Sequence, residues 1–225
     1  MRIEKRVFDV LLSALGIALL WPLFLVIALL IKLDDGGRVF FRQVRVGYRG
    51  RCFRIWKFRT MVTDADCYNT PLTVGDDPRV TRIGGWLRRL KLDELPQVIN
   101  VLTGEMSLVG PRPELPCYVA RYEAAERRVL DLVPGITSEG SLRYRNESEV
   151  LARVDDPERA FVEAIMPEKI RLNLAYSDRA TLWRDLLLII RTLREVCLPP
   201  ALSRAATGSS VPPRGARNAV DRHYR

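Results

Sequence analysis

The densest reactive stretch is Arg88-Arg89-Leu90-Lys91-Leu92-Asp93-Glu94-Leu95-Pro96-Gln97, in which two adjacent carboxylates follow a cationic turn. Asp93 fits a helix N-cap, and Pro96 is tolerated in a first turn whose N–H groups have no helical partner. Free N–H groups and the helix dipole favour a phosphate at such a point. The same field keeps Asp93 ionised, the state a carboxylate nucleophile needs. A phosphate repels a neighbouring carboxylate. Arg88, Arg89 and Lys91 offset that repulsion, as would a divalent cation held between carboxylate and phosphate oxygens. The chemistry this suits is attack on a diphosphate, with the charge met by arginines and metal rather than by a chain of bases. An Asp-Glu pair at a helix start most often only caps it, so the pair needs company to carry a function.

Arg112 is the second candidate. Pro111 and Pro113 fix the backbone on either side of it, and a guanidinium held this way can grip a phosphate with two parallel hydrogen bonds. The alternative is a solvated arginine on a surface turn. Lys57 and Arg59 lie on one face of a strand pattern, with Arg54 on the other. Lys57 can face a phosphate or a lipid headgroup, or simply protect a strand edge with charge. Other chemistries are nearly closed. The only histidine is His223, which excludes triad hydrolysis, Cys–His catalysis and histidine metal sites. Cys52, Cys67, Cys117 and Cys197 form no CxxC pair and read as reduced thiols.

The elements that must position these residues follow from patterning. The chain has 225 residues and a net charge of +9, which points to an anionic partner. Val10 to Ile31 contains no charged residue, and a straight helix of that length reaches roughly 33 Å, enough to cross a bilayer core. Both flanks are basic, with Arg2, Lys5 and Arg6 before the run and Lys32, Arg38, Arg42 and Arg45 after it, which favours two cytoplasmic ends. Pro22 sits mid-run and removes one helix hydrogen bond. From these residues a kinked spanning helix and a re-entrant hairpin are both open. Asp34-Asp35-Gly36-Gly37 ends the helix. Val39–Val46 and Phe53–Arg59 read as a β-hairpin around Tyr48-Arg49-Gly50-Arg51. Residues 64–78 read as an acidic loop. Helical spacing covers Val80–Leu90, Asp93–Leu102 up to Gly104, Leu115–Leu132, and Ala160–Leu174 with a break at Pro167. Leu182–Leu198 mixes Arg184, Arg191 and Arg194 with apolar residues, as either a core helix or one lying in a membrane interface. Residues 199–225 read as a disordered basic tail.

Together these segments resemble the small monotopic phosphoglycosyl transferases of the bacterial sugar transferase family. The resemblance rests on Lys5-Arg6-Val7-Phe8-Asp9, Val39-Phe40-Phe41-Arg42-Gln43, Lys57-Phe58-Arg59-Thr60-Met61 and Asp77-Pro78-Arg79-Val80-Thr81-Arg82-Ile83-Gly84. Most specific are Leu92-Asp93-Glu94-Leu95-Pro96-Gln97 and Met106-Ser107-Leu108-Val109-Gly110-Pro111-Arg112-Pro113. It implies that Asp93 is a nucleophile that takes a phosphosugar from a UDP-sugar, releasing UMP, before polyprenyl phosphate collects it. It implies that Glu94 is the second member of the dyad, that Asp93 holds Mg2+, and that Arg88 and Arg112 hold phosphates. Lys57, Arg59 and Arg145 are added as substrate-binding candidates.

The resemblance also implies an α+β, mostly helical fold. Residues 1–33 are a re-entrant membrane helix turning at Trp21-Pro22, where the family usually has Ser-Pro. Residues 34–198 are a catalytic domain with a small hairpin and interfacial amphipathic helices, on the cytoplasmic face of a bacterial inner membrane. The stretch Ser138–Glu147 departs from the commonest family pattern, and sugar choice is expected there. A non-catalytic, membrane-anchored interaction protein of glycan assembly is the competing reading. Nucleic-acid binding is disfavoured because the basic residues are scattered and no binding motif is present. A homo-oligomer is left open.

Overall fold

The computed structural model describes residues 2–63, 73, 75 and 77–197. The expected loop over 64–78 therefore lies largely outside the described residues, and the tail from 199 lies wholly outside them.

The first element, α1 (Ile3–Asp35), is a single helix with Pro22 inside it, and it ends where Gly36 turns left-handed at φ 72°. It is long and apolar enough to cross a membrane. Its burial is confined to the two ends: Asp9 and Ser13 near the start, Ile27 and Ile31 near the finish. Between them Leu15, Leu19, Trp21, Leu25 and Val26 are exposed. Such a bare apolar stretch marks a membrane or protein contact.

The hairpin is present. Strands β1 (Phe40–Val46) and β2 (Cys52–Phe58) pair antiparallel, Phe40 opposite Phe58 and Val46 opposite Cys52. Its apolar residues bind two parts of the body. Phe58 joins Ile27, Ile31 and Leu87 in one cluster, and Ile55 joins Val101 and Met106 in another. Asn100 fastens the hairpin from outside. Its side-chain amide accepts from the Trp56 N–H at 2.9 Å and donates to the Arg54 carbonyl at 2.9 Å.

Helix α2 (Arg82–Arg89) starts where the Thr81 hydroxyl accepts from the Gly84 N–H. A 3₁₀ turn over Leu92–Gln97 then runs into α3 (Val98–Thr103), which carries Asn100 and which Gly104 ends at φ 90°. Two short strands, β3 (Ser107–Val109) and β4 (Gly135–Thr137), pair in parallel. Next to them Gly110 and Gly135 meet back to back: a Cβ on Gly135 would lie 2.1 Å from the Gly110 nitrogen.

Leu115–Leu132 is not one helix. It breaks into α4 (Pro116–Val119) and a 3₁₀ turn over Glu126–Asp131. The second piece starts afresh because the Glu126 carboxylate accepts from the Glu123 N–H at 2.8 Å. The break lets Tyr118, Val119, Tyr122 and Val129 all enter the main core with Phe161 and Ile170.

Beyond β4 lie α5 (Glu139–Arg143), α6 (Glu147–Leu151) and α7 (Pro157–Ala160). Pro167 causes no break. A π-helical turn over Phe161–Ile165 widens the backbone just ahead of Pro167, and the helix runs on into α8 (Met166–Ser177) past the residue that cannot donate. Helix α9 (Leu182–Cys197) completes the body, with Leu188 buried and Trp183 exposed.

Candidate active site

The 3₁₀ turn carries Asp93 and Glu94, but Asp93 is not its cap. Lys91, left-handed at φ 56°, swings the chain out of α2 and occupies the position before the turn. Asp93 is thereby drawn inside, with 7% of its surface exposed. Among the described residues no hydrogen bond or ion pair of hydrogen-bonding length reaches its carboxylate. Burial, then the Glu94 charge, push its pKa upward against the pull of Lys57, Lys91 and Arg88. The cations Lys57, Lys91 and Arg88 do favour the ionised form, as expected, but desolvation outweighs them and makes Asp93 harder to ionise than a solvated carboxylate.

Glu94 stands in the opposite environment. Lys57, on β2, donates to it at 2.8 Å, and Arg112 grips both of its oxygens, one at 2.8 Å. Burial alone would raise its pKa, but Arg112 and Lys57 overcome that and hold it well below the usual carboxylate range. Burial lowers the Lys57 pKa against the same partner, while Glu94 raises that of Arg112. The pair is therefore split by environment: one carboxylate is clamped and ionised, the other is desolvated and, among the described residues, unbonded.

Arg88 arrives from the end of α2 and donates to the Thr60 hydroxyl at 2.8 Å. It gets there because Gly84 lets α2 press on the Thr60 backbone, where a Cβ would lie 2.1 Å from the carbonyl oxygen. The charge of Asp93 acts on Arg88 and partly offsets the lowering of its pKa by burial. Behind the turn bearing Arg112, Arg45 donates to the Pro113 carbonyl at 3.3 Å and lies 3.6 Å from Glu114.

Asp93, Glu94, Arg88, Lys57 and Arg112 are brought together. Arg59 and Arg145 are not. Arg59 faces the end of α1, donating to Asp35 at 2.5 Å and to the Arg38 and Met61 carbonyls. Arg145 pairs with Glu195 on α9 at 3.1 Å. Thr60, Arg45 and Asn100 carry weight that patterning did not reveal. Their polarity looks ordinary in sequence, and only the fold shows that they are spent on Arg88, on the Arg112 turn and on the hairpin.

No cluster of three metal-ligating side chains occurs among the described residues. The donor set still fits magnesium, which takes one or two carboxylates and completes its shell with substrate phosphates and water. Asp93, buried and without a hydrogen bond among the described residues, is the carboxylate of the pair free to serve.

A desolvated carboxylate ringed by cations, on a body carrying a long apolar helix, suits the handling of phosphate beside a membrane. The chain belongs to the bacterial sugar transferase family, whose family model matches residues 1–199. Exopolysaccharide production protein ExoY of Sinorhizobium fredii (strain NBRC 101917 / NGR234) is 36% identical over 211 residues, 87% of this chain and 86% of that protein. Undecaprenyl-phosphate glucose phosphotransferase of Komagataeibacter xylinus is 41% identical over 199 residues, 85% of this chain and 35% of that protein. UDP-glucose:undecaprenyl-phosphate glucose-1-phosphate transferase of Escherichia coli (strain K12) is 38% identical over 197 residues, 85% of this chain and 40% of that protein. The chain thus spans most of ExoY and less than half of the other two.

Proposed function

We propose that this chain transfers a sugar-1-phosphate from a UDP-sugar to polyprenyl phosphate, through a phosphosugar carried on Asp93, as an early membrane step of exopolysaccharide assembly. The single observation that carries the reading is the contrast within the dyad: Glu94 is bonded to Lys57 and Arg112, whereas Asp93 is buried with no such bond among the described residues. A carboxylate without hydrogen bonds keeps its lone pairs for a reaction.

An Asp93 oxygen attacks the sugar-bearing phosphorus. The bond from that phosphorus to the bridging oxygen breaks, and UMP leaves with the electron pair. A polyprenyl phosphate oxygen then attacks the same phosphorus and Asp93 departs, giving polyprenyl diphospho-sugar. A phosphate monoester is largely dianionic near pH 7, so this second attack needs no general base. That suits Glu94, whose depressed pKa makes it a weak base. Its part is to hold Lys57 and Arg112 where the diphosphate charge arrives. Arg88, fixed by Thr60, faces the same charge from the α2 side. Magnesium bound at Asp93 would neutralise diphosphate charge and favour departure of UMP.

The membrane reading has its own support. Along a straight helix Arg6 and Ile27 would lie about 31 Å apart. Yet Arg6 bonds the Val101 and Leu102 carbonyls, and Ile27 belongs to a cluster that takes in Leu95. A helical rise separates Leu95 from Val101 by only about 10 Å. We infer that a bend at Trp21-Pro22, together with side-chain reach, closes the difference. Both ends of α1 then stay on one face of the membrane, as its basic flanks favour, and that face is the cytoplasmic one.

The test is UMP release from a panel of UDP-sugars with magnesium and polyprenyl phosphate. Wild type should release UMP with at least one sugar, and Asp93→Asn with none. Full activity in Asp93→Asn would overturn the assignment.

A further inference from the structure

A second basic cleft lies away from the dyad. Helices α8 and α9 splay apart over Glu139 of α5 to leave a space of about 430 Å³, floored by Leu172, Ala175 and Leu188 and rimmed by Arg179, Arg184 and Arg191. Arg191 is 3.3 Å from Glu139. The other two guanidiniums have no acidic partner among the described residues, and that of Arg184 donates there only to the Arg179 carbonyl, at 2.7 Å. Unpaired cations over an apolar floor match an amphiphile with an anionic head.

The position of the cleft says where that amphiphile comes from. Asp185, in the first turn of α9, is buried, bonds Lys5 of α1 at 2.5 Å and accepts from Tyr176 of α8 at 2.7 Å. Lys5 stands just before the apolar run of α1. The start of α9 is therefore pinned at the level where α1 enters the lipid. From that point Trp183, Leu187 and Ile190 are exposed along one face of α9, and Val7 and Leu11 are exposed on α1 just after Lys5. A tryptophan beside arginines at this level is a membrane-interface pattern.

We propose that the α8–α9 cleft binds the headgroup of an anionic phospholipid, held by Arg179 and Arg184 while Trp183, Leu187 and Ile190 enter the acyl boundary. The proposal rests on the membrane placement of α1 and assigns a site remote from Asp93. Each arginine near an anionic surface strengthens binding by roughly fivefold.

The experiment uses the full chain in mixed micelles of phosphatidylglycerol and phosphatidylcholine, with retained lipid counted by native mass spectrometry. Wild type should retain phosphatidylglycerol over phosphatidylcholine by at least about fivefold. Arg179→Gln/Arg184→Gln should lose the preference while its circular dichroism matches wild type. Both arginines are exposed, so the fold does not need them. Inorganic phosphate at millimolar concentration should not displace the lipid. Equal retention of the two lipids, an unchanged preference in the double variant, or displacement by inorganic phosphate would overturn the proposal. Carbonate washing of membranes separates the two failures. A chain that washes off sinks the membrane placement itself, whereas a chain that stays on without lipid preference sinks only the headgroup site.

Discussion

Glu94→Gln perturbs the centre of the site without removing its nucleophile. Glu94 has 17% of its side chain exposed, Lys57 15% and Arg112 29%, so all three charges are largely desolvated. Removing the shared anion leaves two facing cations without compensation, a loss of about 3 kcal/mol at the lower end of what breaking a buried pair costs. For a domain of this size that lowers Tm by about 6–12 °C. The pH dependence follows from the depressed Glu94 pKa. Its contribution to stability is present above its unfolded value near 4.5 and is lost as pH falls through the folded value. The Tm gap between wild type and Glu94→Gln should therefore be widest near pH 7 and narrow below about pH 4.5.

Activity adds an independent readout. Glu94 is among the causes that raise the Asp93 pKa, and Lys57 among those that lower it. The variant loses the first and frees the second. The acid limb of kcat/KM, where Asp93 must ionise to attack, should move to lower pH even as the maximum falls. Thermal unfolding and a pH profile of UMP release measure both effects. An unchanged Tm at pH 7, or an acid limb at the same or higher pH, would refute the electrostatic account of the dyad.

Three further substitutions probe the supports. Asn100→Ala strands the Trp56 N–H and the Arg54 carbonyl, costing about 3 kcal/mol and a Tm fall near that of Glu94→Gln. Gly84→Ala places a methyl against the Thr60 carbonyl, so α2 must back away by about an ångström or more and the Arg88–Thr60 bond opens. UMP release should then fall by more than tenfold, about the effect of one lost charge contact. Asp185→Ala removes the bonds from Lys5 and Tyr176 and leaves Lys5 with Asp9 at 4.0 Å, so hydrogen exchange over residues 3–9 should rise relative to wild type.

Much of this was legible in the sequence. The apolar run, the Asp-Asp-Gly-Gly stop and the alternating hairpin residues each follow from a local period or a breaker, and each appears where expected. The grouping of Asp93, Glu94, Arg88, Lys57 and Arg112 came from the family motifs and is close in space. What failed was what depends on long-range contact. The N-cap assignment for Asp93 overlooked that Lys91 turns left-handed, a choice made by packing. The single helix over 115–132 followed periodicity that the core broke in order to bury Tyr118 and Tyr122 together. Strands β3 and β4, three residues each, are too short for alternation to register. Arg145 and Arg59 look like their cationic neighbours in sequence, and only the positions of Glu195 and Asp35 divert them.

The contact between Gly110 and Gly135 reaches further than its size suggests. With no side chain on either residue, the backbone just ahead of Arg112 is welded to the start of the chain's second half. That second half, through α5 to α9, holds the stretch Ser138–Glu147 and the proposed lipid cleft. Whatever is remodelled there has to leave this one joint undisturbed, or the arginine that holds Glu94 shifts with it.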